Sequence, residues 1–231
     1  MSDLESLRLL VHGAVGALEQ SRQRIDDLNV YPVPDGDTGT NLLLTVRGVA
    51  EALAGSNADN REHLAREVSR AALLSARGNS GVILSQIIRG AADELAENSQ
   101  IDTAAIARAL RSAADAGYQA LREPVEGTML TVIRELADEA DAQDSSALDP
   151  TDLLEALVGR GDQAVAQTQE QLDVLRRAGV VDAGAAGLVE ILRGVAAAAR
   201  ETSCPNRRGP PPSRSRPSTR SSPVSATARR S

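Results

Sequence analysis

Lysine is absent from this chain of 231 residues; all 25 basic side chains are arginine. That excludes a Walker A loop, whose lysine binds the phosphates, and the protein-kinase signature, which needs a lysine on a strand. Phenylalanine and tryptophan are absent too, leaving Tyr31 and Tyr118 as the only aromatics in a chain that is 42% hydrophobic. The core must therefore be built from Leu, Val, Ile and Ala, which suits close-packed helices better than a sheet. No run approaches the roughly 20 apolar residues that span a bilayer. The N-terminus, "MSDLESLRLL", is acidic and amphipathic, unlike a signal peptide. The single cysteine, Cys204, cannot form an internal disulfide, which fits a reducing cytoplasm. His12 and His63 stand alone on helical stretches and read as surface or packing residues.

Charge and composition divide the chain. Residues 202–231 hold seven Arg, six Pro and eight Ser and no acid. Such a segment is expected to be disordered, because it has too little apolar surface to repay ordering. Its +7, set against −7 for the whole chain, leaves −14 on residues 1–201. That excess argues against nucleic-acid binding by the folded part. Residues 1–201 read as helices almost throughout. Ser2 and Glu5 form a capping box ahead of an amphipathic run to about residue 28. Further helical patterns cover roughly 40–54, 60–76, 80–97, 103–121, 127–141, 150–168, 169–178 and 184–200. The expected class is all-α with about eight helices.

Four turn-like stretches interrupt the helices. "NVYPVPDGDTGTN" (29–41) sets Asp35 and Asp37 one residue apart on a loop stiffened by Pro32 and Pro34. Two readings stay open for it: a Pro-Asp-Gly turn with no further role, or a pair of oxygen ligands for magnesium beside a phosphate. An EF-hand is excluded, since Val46 stands where its bidentate Glu belongs. On the second reading Asn29, Thr38, Thr40 and Asn41 extend the shell, and a helix beginning near Thr40 offers free N–H groups to an anion. "ARGNSGVILSQ" (76–86) reads either as a helix start capped by Asn79 or Ser80 or as an anion nest around Gly78 to Gly81. Arg77 there either adds a charge or pairs with an acid. "VEGTMLTV" (125–132) opens a helix with Gly127 and Thr128, with Met129 as a core residue. "VVDAGAAGL" (180–188) puts Asp182 and Gly184 before the last helix, where capping is a sufficient role. "GRGDQA" (159–164) matches a dinucleotide fingerprint formally but follows a helical run, so it is discounted.

Together, in this order and spacing, the four stretches resemble the DhaL-type family: the nucleotide-binding subunit of dihydroxyacetone kinase and, more closely, the N-terminal domain of bacterial fatty-acid kinases. The resemblance covers roughly residues 5 to 200. It implies a barrel of about eight antiparallel helices that binds ATP at one end through two magnesium ions. Asp35 and Asp37 fall on the family's metal ligands, with Asn29 at a third ligand position. Thr38, Gly39, Thr40, Asn41, Asn79, Ser80 and Gly81 fall on phosphate-contacting loops, and Thr128, Met129, Asp182 and Gly184 on positions around the nucleotide. Departures exist: Ser75 and Ala185 replace glycines, and "TQEQL" (168–172) replaces a Thr-Pro-Glu helix start. These departures are expected to be tolerated, Ala185 being the one that would strain a turn if that turn needed φ > 0. The implied activity is phosphoryl transfer from ATP to an acyl group or hydroxy-ketone presented by a partner, such as a fatty-acid-binding protein. A non-catalytic nucleotide-binding module is the alternative, and a homodimer stays open.

Overall fold

The computed structural model describes residues 2–98, 100–143 and 148–203. Among these residues there are nine helices and no strand. They are α1 (Asp3–Asp27), α2 (Thr38–Gly55), α3 (Arg61–Ser75), α4 (Gly78–Glu97), α5 (Thr103–Gln119), α6 (Met129–Ala142), α7 (Pro150–Gln171), α8 (Asp173–Ala178) and α9 (Ala183–Ser203). Most starts are written in local chemistry. Ser2 and Glu5 close the expected capping box on α1, and Asn60, Asp102 and Asp149 each accept from a first-turn N–H of α3, α5 and α7. Pro150 follows Asp149 in the first turn of α7, where its missing N–H costs nothing. The expected cap of α4 is corrected. Its N-cap is Arg77, and Asn79 and Ser80 lie inside the first turn. At the other end of the chain α9 runs to Ser203, beyond the expected end near residue 200. The remainder of the segment expected to be disordered, 204–231, lies outside the described residues.

From α1 to α7 each helix packs against the next, α7 packs on α9, and α9 closes onto α1. The result is a ring of eight helices, with the short α8 laid on α7. Connections this short force neighbours to alternate in direction. The expected barrel of about eight antiparallel helices is therefore the observed fold. Closure is tight: a Cβ on Gly13 would lie 2.3 Å from the Gly194 carbonyl oxygen, and the reverse distance is also 2.3 Å. Only glycine at both positions lets α1 and α9 approach this closely. The interior is aliphatic, with Leu18, Ile25, Leu42, Leu84, Leu136, Leu153 and Leu157 inside the ring. A smaller cluster of Val49, Leu53, Leu64 and Val68 joins α2 to α3. Each fully buried side chain of this size contributes about 1.5–3 kcal/mol. No described helix is long and apolar enough to cross a membrane.

Alternation also fixes where the four motifs lie. The α1–α2, α3–α4, α5–α6 and α7–α9 connections share one end of the ring, here called the motif end. The other three connections and Ser2 share the opposite end.

Candidate functional site

Asp35 and Asp37 sit in the α1–α2 connection, exposed and half-exposed respectively, after a cis Tyr31–Pro32 bond. Buried Asn29 donates from Nδ2 to Asp35 Oδ1 at 2.5 Å, which fixes that carboxylate. Its other amide atom, Oδ1, is buried with no hydrogen-bond partner. A buried acceptor left unpaired is costly, and this oxygen is free to accept from or coordinate a ligand. Asp37 is the N-cap of α2 but makes no side-chain cap bond. Three of the polar residues beside it, Thr38, Asn41 and Asp37 itself, make no side-chain hydrogen bond within the described residues.

Thr40 behaves differently. Its N–H donates to Asp26 Oδ1 at 3.0 Å and its hydroxyl to Asp26 Oδ2 at 2.9 Å, while Arg22 reaches the same carboxylate at 3.2 Å. Asp26, buried in the last turn of α1, thus takes over one of the first-turn donors of α2. Sequence reading missed this residue. The available signal was an acid at a helix C-terminus, where the dipole disfavours negative charge unless a specific partner compensates it.

The second motif lies against the first. A Cβ on Gly78 would fall 2.5 Å from Asn41 Nδ2, and one on Gly81 would fall 2.8 Å from Thr45 Oγ1. Gly78 carries φ +59°, which turns the chain into α4 at once. Arg77, the N-cap, makes no cap bond and pairs with no acid; its guanidinium donates to the Leu74 and Ala76 carbonyls. Exposed Asn79 and half-buried Ser80 have side chains without partners. Two neighbouring helices, α2 and α4, therefore start at the same end with no cap from their own N-cap side chains, next to the Asn29, Asp35 and Asp37 oxygens. Free N–H groups and positive helix ends attract anions.

The third and fourth motifs are tied off. Thr128 caps α6, and Met129 is buried as expected. Asp182 is buried and accepts with Oδ2 from Met129 N–H at 3.0 Å and from Ala185 N–H at 2.7 Å. One carboxylate oxygen thus caps both α6 and α9. Burial pushes the Asp182 carboxyl up to about 6, against the pull of its two backbone bonds. Gly184 packs beneath it, with Met129 Cε 3.0 Å from where its Cβ would be. Ala185 is tolerated as expected: it sits in the first turn of α9, and the positive-φ position of that connection is Gly179. "GRGDQA" lies inside α7, as its discounting implied.

Beside Thr128 is a cluster that sequence reading also missed. Glu126 accepts from Thr131 (2.6 Å), Arg134 (2.6 Å) and Tyr118 (2.9 Å). Burial works to raise its carboxyl, but those three bonds together hold it below the usual range. Burial, then the Glu126 charge, pushes Tyr118 up to about 12. The cluster braces α5 against α6.

A magnesium ion fits the first group by donor type: a carbonyl oxygen without a partner and two carboxylates, all hard oxygens. Among the described residues no three His, Cys, Asp or Glu side chains gather into a cage. That suits an ion completed by a ligand's phosphates.

The sequence model of the DAK2 domain matches residues 32–197. Uncharacterized proteins of Staphylococcus aureus strains USA300 and NCTC 8325 are each 37% identical over 186 residues, covering 80% of this chain and 34% of theirs. The chain thus spans about a third of the length of these relatives. Among solved structures, the fold is similar to C. freundii dihydroxyacetone kinase. The complex with AMP-PNP and Mg2+ gives a TM-score of 0.60 at 19% identity, over 81% of this chain and 33% of that one. The native form gives 0.60 at 17% identity, over 85% and 34%. With the matched segment running from the first motif into α9, the chain belongs to the DAK2 domain family.

Proposed function

We propose that the motif end binds ATP with magnesium and that the chain is the nucleotide-binding domain of a kinase. The observation that carries this is the start of α4 without a side-chain cap and that of α2 with only its Thr40 N–H held, by Asp26, beside the partnerless Asn29 Oδ1 and the two aspartates. Asn29, Asp35 and Asp37 would hold magnesium, two ions by family resemblance, which would supply neutralising charge to the phosphates. Thr38, Gly39, Thr40 and Asn41 present the α2 N-terminus to the phosphates; Asn79, Ser80 and Gly81 present that of α4. Thr128, Met129, Asp182 and Gly184 form the opposite wall. In that wall the residues act by position, since the Asp182 oxygen is already held by two helix ends. Two helix N-termini and a metal explain how such a domain manages without lysine.

The acceptor is an acyl group or a hydroxy-ketone brought by a partner protein. This follows from the family and from an inventory. Two open hollows, of about 470 and 360 Å³, lie on the helix surfaces, one lined by Arg22, Thr40, Leu44 and Arg47 and the other by His63 and Arg66. Neither is closed around a reacting centre, and phosphoryl transfer requires an acceptor oxygen in line with the phosphate.

The first test is thermal unfolding with ATP. Magnesium-dependent stabilisation of about 2.7 kcal/mol is expected at a hundredfold excess over Kd, and Asp35→Ala or Asp37→Ala should remove it while leaving the fold intact. An unchanged shift in both variants overturns the metal assignment. The second test follows labelled γ-phosphate to a fatty acid, or to dihydroxyacetone, with and without a substrate-presenting protein. Transfer only with the partner supports a kinase domain; binding without transfer in any combination supports the non-catalytic alternative; robust turnover by the chain alone reveals an unrecognised acceptor site.

A further inference from the structure

The other helix starts show what is unusual about α2. Ser2, Asn60, Asp102, Thr128 and Asp149 each cap their own helix with a side-chain oxygen, and all five have extended backbone. Asp37 is of a favoured capping type, yet it makes no such bond, and its backbone (φ −123°, ψ 4°) is not extended. The donor it leaves alone, the N–H of Thr40, goes instead to Asp26 Oδ1 at 3.0 Å. The Thr40 hydroxyl follows, donating to Asp26 Oδ2 at 2.9 Å. Asp26 is 6% exposed and lies in the last turn of α1, where the helix dipole opposes a negative charge. Arg22 balances that charge at 3.2 Å and also donates to the Thr40 hydroxyl at 3.3 Å. The main chain of Asp26 faces the metal group: its carbonyl accepts from the Asn29 N–H at 3.1 Å, and Asn29 in turn holds Asp35. One buried acid therefore joins the start of α2 to the candidate metal ligands.

We propose that Asp26 is a positioning residue for the metal: by capping α2 in place of Asp37, it frees the Asp37 carboxylate for a magnesium ion. A carboxylate that caps its own helix is turned back over the first-turn N–H groups. One that holds an ion must point away from them, and the non-extended backbone of Asp37 goes with the second arrangement. The two tasks are divided between two acids, each of which would do the other's poorly. Outer residues that fix a metal ligand typically change metal affinity by about 10–100-fold. The metal role rests on the ATP reading of the motif end; the exchange of caps does not.

Two measurements on the full chain test this. The first needs no ligand and compares thermal midpoints of the wild type, Asp26→Ala, Asp37→Ala and the double variant. In the wild type Asp37 holds no cap bond, so Asp37→Ala should move the midpoint by less than about 1 °C. With Asp26→Ala in place, the Asp37 carboxylate turns to the open Thr40 N–H. There Asp37→Ala should lower the midpoint by a further amount of about 2–4 °C, the loss of an ordinary cap in a domain of this size. The second measurement is the magnesium concentration that gives half of the ATP-induced stabilisation. It should rise at least about tenfold in Asp26→Ala and stay near the wild-type value in Asp26→Asn, whose amide oxygen still accepts from Thr40. Arg22→Gln removes the ion pair but leaves both Thr40 bonds, and should also leave the requirement unchanged. Circular dichroism checks that each variant keeps its helices. An equal effect of Asp37→Ala in both backgrounds, or an unchanged requirement in Asp26→Ala, means that Asp26 only fastens α1 to α2 and overturns the proposal. So does an Arg22→Gln requirement raised as far as that of Asp26→Ala, which Arg22→Gln decides even where Asp26→Ala does not fold and Asp26→Asn is the reference. A wild type without a magnesium-dependent ATP shift defeats the ATP reading and the metal role with it, while the ligand-free comparison still decides which acid caps α2.

Discussion

The two ends of the ring use the same eight helices under opposite rules. At the opposite end α1, α3, α5 and α7 all begin with a side chain that accepts from the backbone: Ser2, Asn60, Asp102 and Asp149. At the motif end the N-cap side chains of α2 and α4 make no such bond, Asp26 of α1 holds one first-turn N–H of α2, and α6 and α9 share Asp182. The four positive-φ residues of the described chain, Gly36, Gly78, Gly127 and Gly179, lie one in each motif-end connection and nowhere else. Conventional capping stabilises one end through local bonds. The other end holds sharp turns and free helix N-termini together, which costs stability unless a ligand completes them.

That contrast can be broken, most severely at Asp182. Removing the shared acceptor with Asp182→Ala leaves two buried N–H groups unpaired and should cost about 2–4 kcal/mol in urea unfolding. Asp182→Asn should cost less and change the pH profile. The folded carboxyl titrates near 6 against an ordinary value of 3.8. A raised folded value favours the protonated form in the native state, so its stabilising contribution is fully present below 3.8 and is lost as pH rises through 6. Relative to Asp182→Asn, the wild type should therefore lose stability between about pH 4 and pH 6 and show no further relative change above. Parallel profiles for the two proteins would contradict the assignment.

Gly39→Ala should come next, at about 1–3 kcal/mol, because overpacked sites must shift. The new Cβ would lie 2.5 Å from the Arg22 carbonyl and 3.0 Å from Asp26 Oδ1, forcing α2 away from α1. The ATP-induced shift should fall with it. The smallest effects sharpen the comparison from both sides. Asn60→Ala, at the capped end, should cost about 1 kcal/mol and leave the ATP-induced shift unchanged. Arg77→Ser, which offers the open α4 a cap, should stabilise the ligand-free chain by about 0.5–1 kcal/mol and reduce the shift. If capping α4 leaves nucleotide stabilisation untouched, its open N-terminus is not what the phosphates use.

The helices were legible because their signals are local. The Ser2–Glu5 capping box, aliphatic periodicity and the lack of aromatics pointed to an all-helical core. The start of α4 was misread because Asn79 and Ser80 are favoured caps by type, yet the positive φ of Gly78 turns the chain before either is reached. Ala185 could be expected to be tolerated, but only the backbone reveals that Gly179, not the small residues of the motif, makes the turn. Asp26 and Glu126 escaped because their partners, Thr40, Tyr118 and Arg134, are 8 to 14 residues away and meet them only across helices.

The residues themselves determined the helical class, the chemistry of the four loops and the absence of any lysine-based phosphate grip. They did so because helix caps, periodicity and side-chain type act over a few residues. Tertiary structure decided the rest: that the loops gather at one end, and that Asp26 and Asp182 are occupied as caps while Asn29 keeps a buried oxygen without a partner. Those outcomes depend on ring closure at Gly13 and Gly194, which brings groups far apart in the chain within hydrogen-bond range and leaves others with nothing to bind.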